Sequence, residues 1–144
     1  MGYARLQTEP FTLDSVLKEL AQDRVGGVTF YVGTVRRSDD ERTVDALTYE
    51  AYPEMAQAAL DDLRKETISR FGLVDATVIH RTGRLSAGEP ILLVALAGAH
   101  RAETFDAVRH FMDRLKTLVP IWKREEGSEG EHWILGPERR RARP

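Results

Sequence analysis

The sequence predicts an α+β fold with a largely antiparallel sheet, three helices and a single domain. Three observations lead there. Segments of β pattern and helical pattern are mixed along the chain, with hairpins outnumbering crossovers. No internal repeat is visible. The chain has 144 residues, 42% of them hydrophobic, enough for one real core and too few for two comfortable ones.

The elements follow in order. "FTLDSVLKELA" opens with Thr12 as an N-cap and sets Val16, Leu17 and Leu20 on one side of a short helix. "GGVTFYVGTVR" is rich in β-branched and aromatic residues, dissolves into the polar "RSDDER", and gives way to "TVDALTYEAY", so a hairpin with a mobile loop is expected. A long helix is read in "PEMAQAALDDLRKETISRFG", with Pro53 in its first turn, Ala56, Leu60 and Leu63 facing inward, and Gly72 as its stop. "DATVIHRTGRL" and "PILLVALAGA" form a second β pair around the "SAG" turn. The third helix is "RAETFDAVRHFMDRLKTLV", ended by Pro120, with Phe105, Val108, Met112, Leu115 and Val119 as its buried stripe. "IWKREEG" and "EHWILG" close the domain, residues 1–136, as a last hairpin, and the basic tail 137–144 is expected to be disordered.

Composition removes several functional classes. Lys+Arg 21 against Asp+Glu 23 gives a formal net charge of −2, so nothing in bulk charge suggests a nucleic-acid or membrane-surface protein. The apolar run from Ile91 to Ala99 falls short of the roughly 20 residues of a membrane helix, and the N-terminus lacks a signal-peptide pattern, which points to the cytoplasm. With Cys 0 the chain has no thiolate for metal binding or nucleophilic attack; sulfur chemistry here requires imported sulfur. The histidines His80, His100, His110 and His132 show no short helical spacing of a zinc motif, so no metal is assigned.

The informative residues are cations. Lys116 stands about 100° around the helix from Leu115, at the edge of the stripe near Met112. It either complements the helix dipole or does chemistry. Lys123 alternates with Ile121 and Glu125 on one face of an extended segment, with Trp122 and Arg124 on the other; a pair with Glu125 is its alternative role. His100 and Arg101 stand at a helix N-terminus, where a cation is disfavoured unless an anion binds or Glu103 and Asp106 neutralise it. Arg36 ends the glycine-led strand, either solvated or part of the same site. Together these cations suggest an anionic, phosphorylated small molecule. A non-catalytic module that merely holds such a metabolite is the rival from another class.

The runs "FYVGTVR", "YEAYPEMA", "HRTGRLSAGE", "AHRAETFDAV" and "LKTLVPIWKRE", followed by "HW", closely resemble the large, catalytic subunit of molybdopterin synthase, the MoaE family, from about Thr8 to Trp133. The resemblance implies an α/β-hammerhead type of α+β fold. It also implies a reaction in which cyclic pyranopterin monophosphate receives two sulfurs as a dithiolene, each from the C-terminal thiocarboxylate of a small ubiquitin-like partner subunit. No cofactor of its own is implied. The family's essential lysine falls on Lys116 and its second active-site lysine on Lys123. Its substrate-binding positions fall on Thr34, Val35 and Arg36, on His100 and Arg101, and on Lys116, Lys123, Arg124 and Glu125. "RSDDERTVD" lacks the glycine of the family's loop at this place. The partner's extended tail is expected to reach Lys116 through a groove with Ile121 and Trp122 among its walls.

Arg101 and Lys116 are 15 residues apart, which at 1.5 Å per residue separates them by about 22 Å along one helix. If both serve one substrate, the simplest arrangement is a twofold homodimer with shared sites, and a heterotetramer once each small partner is bound.

Overall fold

The computed structural model describes residues 1–37, 43–127 and 130–134. Their order is β1 (Ala4–Gln7), α1 (Leu13–Leu20), β2 (Gly27–Thr34), β3 (Val44–Ala51), α2 (Pro53–Phe71), β4 (Asp75–Arg81), β5 (Gly83–Ser86), β6 (Pro90–Gly98), α3 (Arg101–Leu118), β7 (Ile121–Gly127) and β8 (Gly130–Ile134). The strands form two four-stranded sheets, β1-β4-β6-β2 and β5-β3-β7-β8. β1 runs parallel to β4, and the other pairings are antiparallel. The described residues therefore adopt an α+β fold with three helices and mostly antiparallel sheets.

The apolar run of β6 explains the layering. A strand buried from Ile91 to Gly98 has both faces covered, and β6 lies between β4 and β2. Its alternate residues serve two cores. Leu92, Val94 and Leu96 join Leu60 and Leu63 of α2 and Phe111 and Leu115 of α3, while Leu93, Ala95 and Ala97 pack with Val16 and Leu20 of α1. Helix ends follow the sequence signals. Pro53 opens α2, Gly72 adopts φ +63 beyond its end, and the Leu73 N–H returns to the Ile68 carbonyl at 3.0 Å.

Several expectations are corrected. β2 and β3 do not form a hairpin: β2 pairs with β6, and β3 pairs with β5 and β7. Residues 35–43 separate the two strands, more than the roughly two to five of common hairpin loops, so burial of β6 decides where β2 goes. The expected mobile loop includes residues 38–42, which lie outside the described residues, as does the tail 137–144. "DATVIHRTGRL" is two strands, because Gly83, at φ +92, breaks the chain and sends β5 to β3 in the other sheet. β1 carries too short a pattern to be read from sequence; Leu17 is exposed.

The stripe of α3 is also displaced. The fully buried residues are Thr104, Ala107 and Phe111, with Leu115 nearly so, whereas Phe105 is 57% exposed and Val108 and Met112 are only partly covered. Close approach to the sheet selects small residues in the first turns. Thr104 Oγ1 lies 2.7 Å from Thr29 Oγ1, and a Cβ added at Gly98 would stand 2.9 Å from Thr104 Cγ2. Large side chains at 104 and 107 would lift the helix away. Among the described residues no helix is long and apolar enough to cross a membrane.

Candidate active site

A cleft opens where β2 ends, α3 ends and β7 begins, at the seam between the two sheets. Its walls are Tyr31, Gly33, Thr34 and Arg36 from β2 and its continuation, Leu47 and Tyr49 from β3, Met112, Leu115 and Lys116 from α3, and Lys123 and Glu125 from β7, with Val44, Ile91 and Leu92 at the base. The cavity volume is about 180 Å³.

Local structure explains each contribution. α3 stops at Leu118, and Pro120 precludes its continuation, so the chain turns into β7 within two residues of the last helical turn. Lys116 stays on the final helical turn while Lys123 enters from the strand. Period-two alternation puts Lys123 and Glu125 on the same face of β7. The β3–β7 register sets Tyr49 opposite Lys123 and Leu47 opposite Glu125, which brings these two strands' contributions to one wall. Glu125 is only 6% exposed, so a carboxylate is held in the wall with two ammonium groups and the Arg36 guanidinium around the same cleft. Among the described residues, three cations against one carboxylate suit an anionic guest.

Behind Tyr49 stands His80. The two rings meet edge-on at 5.4 Å, and His80 Nδ1 lies 2.7 Å from the Arg81 carbonyl oxygen. Burial pushes its pKa down to about 4, against a smaller upward effect of the bond to Arg81, so the imidazole is neutral at physiological pH. His110 is elsewhere, tied to Glu66 of α2 with Nε2 3.0 Å from Oε2. Among the described residues no three histidines or carboxylates converge on a point where they could hold a metal ion.

Of the residues singled out from sequence, Thr34, Arg36, Lys116, Lys123 and Glu125 meet in the cleft. The others do not. Val35 points into the core and is 2% exposed. Arg124 occupies the opposite face of β7, with its guanidinium 5.5 Å from the Trp133 ring centroid and 4.0 Å from Glu131. Trp122 shares that opposite face and packs on Tyr52 at 4.9 Å, and Ile121 packs against the core; neither lines the cleft. His100 and Arg101 are exposed at the far end of an unbroken α3. The His100 N–H donates to Glu103 Oε1 at 3.1 Å, so the local acid does cap this helix start. Tyr31 and Tyr49 were not legible as site residues. The alternation of "FYVGT" and "LTYEA" holds the signal, but only the pairings of β2 with β6 and of β3 with β7 reveal which faces matter.

A family model described as "MoaE protein" matches residues 6–118. The molybdopterin synthase catalytic subunit of Pyrococcus abyssi is 40% identical over 128 residues, covering 89% of this chain and 86% of that one. The crystal structure of molybdopterin synthase from Staphylococcus aureus superposes with a TM-score of 0.84 at 27% identity, covering 90% of this chain and 94% of that chain. A complex of subunits 1 and 2 of molybdopterin-converting factor from Helicobacter pylori has a chain that matches with a TM-score of 0.74, covering 90% and 88%; at 18% identity this likeness speaks for the fold.

Proposed function

The chain belongs to the MoaE protein family, and from that premise we propose that it is the catalytic subunit of a molybdopterin synthase, with the cleft around Lys116 as its reaction centre. It is an enzyme, a sulfurtransferase acting with a small ubiquitin-like partner. The partner's C-terminal thiocarboxylate supplies the sulfur, twice, to cyclic pyranopterin monophosphate. In each transfer the thiocarboxylate sulfur forms a bond to a side-chain carbon of the pterin while a carbon–oxygen bond at that carbon breaks, its oxygen leaving with a proton as water or staying on the phosphate. Water then cleaves the acyl–sulfur bond, leaving a carboxylate on the partner and a thiolate on the product, with no change of oxidation state.

The carrying observation is the convergence of Arg36, Lys116, Lys123 and Glu125 in one cleft. Negative charge is present on the cyclic phosphate and develops on the acyl adduct, and cations fixed around the cleft stabilise both. Lys116, beside Leu115 and Met112, acts at the acyl–sulfur junction as electrostatic stabiliser and proton carrier. Lys123 orients the pterin or its phosphate, and Arg36 and Thr34 hold the phosphate. Glu125 keeps the ammonium groups in place and accepts from the substrate. The reaction belongs in the cytoplasm, whose reducing poise preserves a thiocarboxylate sulfur.

His100 and Arg101 enter this reading only through a second copy of the chain. The helix length separates them from Lys116 by about 22 Å, and the cleft of about 180 Å³ is smaller than the roughly 300–1,000 Å³ of ordinary small-molecule pockets. A twofold homodimer that lends His100 and Arg101 to the neighbouring cleft supplies both the missing wall and the missing cations, and two bound partners make a heterotetramer. Reconstitution with thiocarboxylated partner and cyclic pyranopterin monophosphate is expected to yield the dithiolene product. A folded complex that binds substrate and forms no product would leave only the anion-binding module.

A further inference from the structure

The segment "HRTGRLSAGE" carries family resemblance, yet apart from its neighbours none of it lines the cleft. Its geometry gives it a task. β2 loses its register with β6 between Gly33 and Thr34: Gly33 pairs with Leu92 but Thr34 with Pro90, leaving Ile91 as the extra residue of a bulge. Beyond the bulge the chain is caught by the turn between β5 and β6. The Val35 N–H donates to the Glu89 carbonyl at 3.0 Å, and the Gly88 N–H donates to the Val35 carbonyl at 2.7 Å. Gly88 lies at φ +90, a conformation that glycine adopts without strain. With the Val35 side chain buried, its neighbours Thr34 and Arg36 are turned to the cleft.

The turn is itself tied down. Glu89 Oε2 accepts the Ser86 N–H at 2.6 Å, and the Ala87 N–H donates to the Asp45 carbonyl at 2.9 Å. Arg81, whose side chain is 8% exposed, donates to the Pro90 carbonyl at 3.0 Å and twice to the Thr8 carbonyl at 3.1 Å, with Nη1 3.6 Å from Glu89 Oε1. One buried guanidinium thus joins the end of β4, the chain after β1 and the start of β6.

We propose that Glu89, held by Arg81, is a positioning residue that fixes the Ser86–Glu89 turn and through Val35 aims Arg36 into the cleft. The inference rests on Arg36 being a substrate contact. Without the Glu89 carboxylate the turn keeps its backbone bonds but loses the side-chain tie to the Ser86 N–H and to Arg81, and the loosened strand end lets Arg36 explore orientations from which it does not meet the phosphate.

A double-mutant cycle tests this in the enzyme reconstituted with its thiocarboxylated partner, reading KM for cyclic pyranopterin monophosphate. Glu89→Ala is expected to raise KM roughly tenfold with kcat within about twofold, the scale of one charged hydrogen bond lost at the substrate. Arg36→Ala is expected to raise KM at least as much, and the double variant to match Arg36→Ala alone, because no guanidinium is left to aim. Glu89→Gln keeps an oxygen for the Ser86 N–H and is expected to restore most of the wild-type KM, which also shows that the turn tolerates substitution. Independent, multiplying effects in the double variant would overturn the clamp and leave Arg36 in place. An Arg36→Ala enzyme with wild-type KM would overturn the Arg36 assignment, and the clamp with it.

Discussion

Lys116 and Lys123 line the same cleft from two different elements, the last turn of α3 and the third position of β7. The chain reverses at Pro120 between them, so the pair is held by a helix end and a strand register and not by one flexible loop. Precise placement of two cations at one reacting centre needs such rigid carriers.

Lys116→Ala is expected to lower turnover by at least about 10²–10³-fold, the range seen when a principal electrostatic stabiliser is lost. Stability should hardly change, since Lys116 is exposed on the rim and Leu115 beside it supplies the packing. Product assay and thermal melting, run on the same preparation, check both halves. A folded variant with near-normal turnover would remove Lys116 from the mechanism.

Arg124, the neighbouring cation, stands on the opposite face of β7, where strand alternation places it, with its guanidinium against Trp133. Lys123→Ala should therefore lose turnover or substrate affinity roughly tenfold or more, the scale of an uncompensated charged contact. Lys123→Arg, which retains charge in the cleft, should recover much of it. Equal loss in both variants would mean that Lys123 acts through its shape or its proton and not through its charge.

Burial of His80 predicts a pH dependence of stability. Its pKa falls from 6.5 to about 4 in the folded state, so between these values the unfolded chain binds more protons and stability rises with pH. The sign means that the neutral form is favoured by the fold: its full stabilising margin is present above about pH 6.5 and is lost as pH falls toward 4, in total about 3 kcal/mol. Denaturant midpoints measured across this range should show the slope in the wild type. In His80→Phe, which retains an aromatic ring against Tyr49, one proton's worth of slope should vanish. An unchanged slope would assign the acid sensitivity to other groups.

These expectations also show where sequence is informative. Helix boundaries were legible because they are local: Pro53, Gly72 and Pro120 act through their own backbone geometry. The lysines were legible because a charge at the edge of an apolar stripe is a local anomaly. Strand pairing was not, since β2 and β3 are neighbours in sequence and members of different sheets. The face of α3 was misread because hydrophobicity favours Phe105 and Met112, whereas contact with the sheet favours Thr104 and Ala107. Tyr31 and Tyr49 became visible as cleft walls only when that pairing was known.

The distance along α3 leads to the last expectation. The helix is continuous from Arg101 to Leu118, so Arg101 and Lys116 stay about 22 Å apart along its axis. No movement of side chains brings them to one small substrate. If Arg101 contributes to catalysis, it does so in a cleft whose Lys116 comes from the other subunit. Arg101→Ala and Lys116→Ala enzymes, each inactive alone, should then regain activity when mixed under conditions that allow subunit exchange. A mixed dimer has one cleft carrying both lesions and one carrying neither, so random pairing restores up to about a quarter of the sites. Product formation by the mixture, with exchange verified by differently tagged subunits, is the measurement. Verified exchange without recovered activity would sink the shared cleft and confine the function of each residue to its own chain.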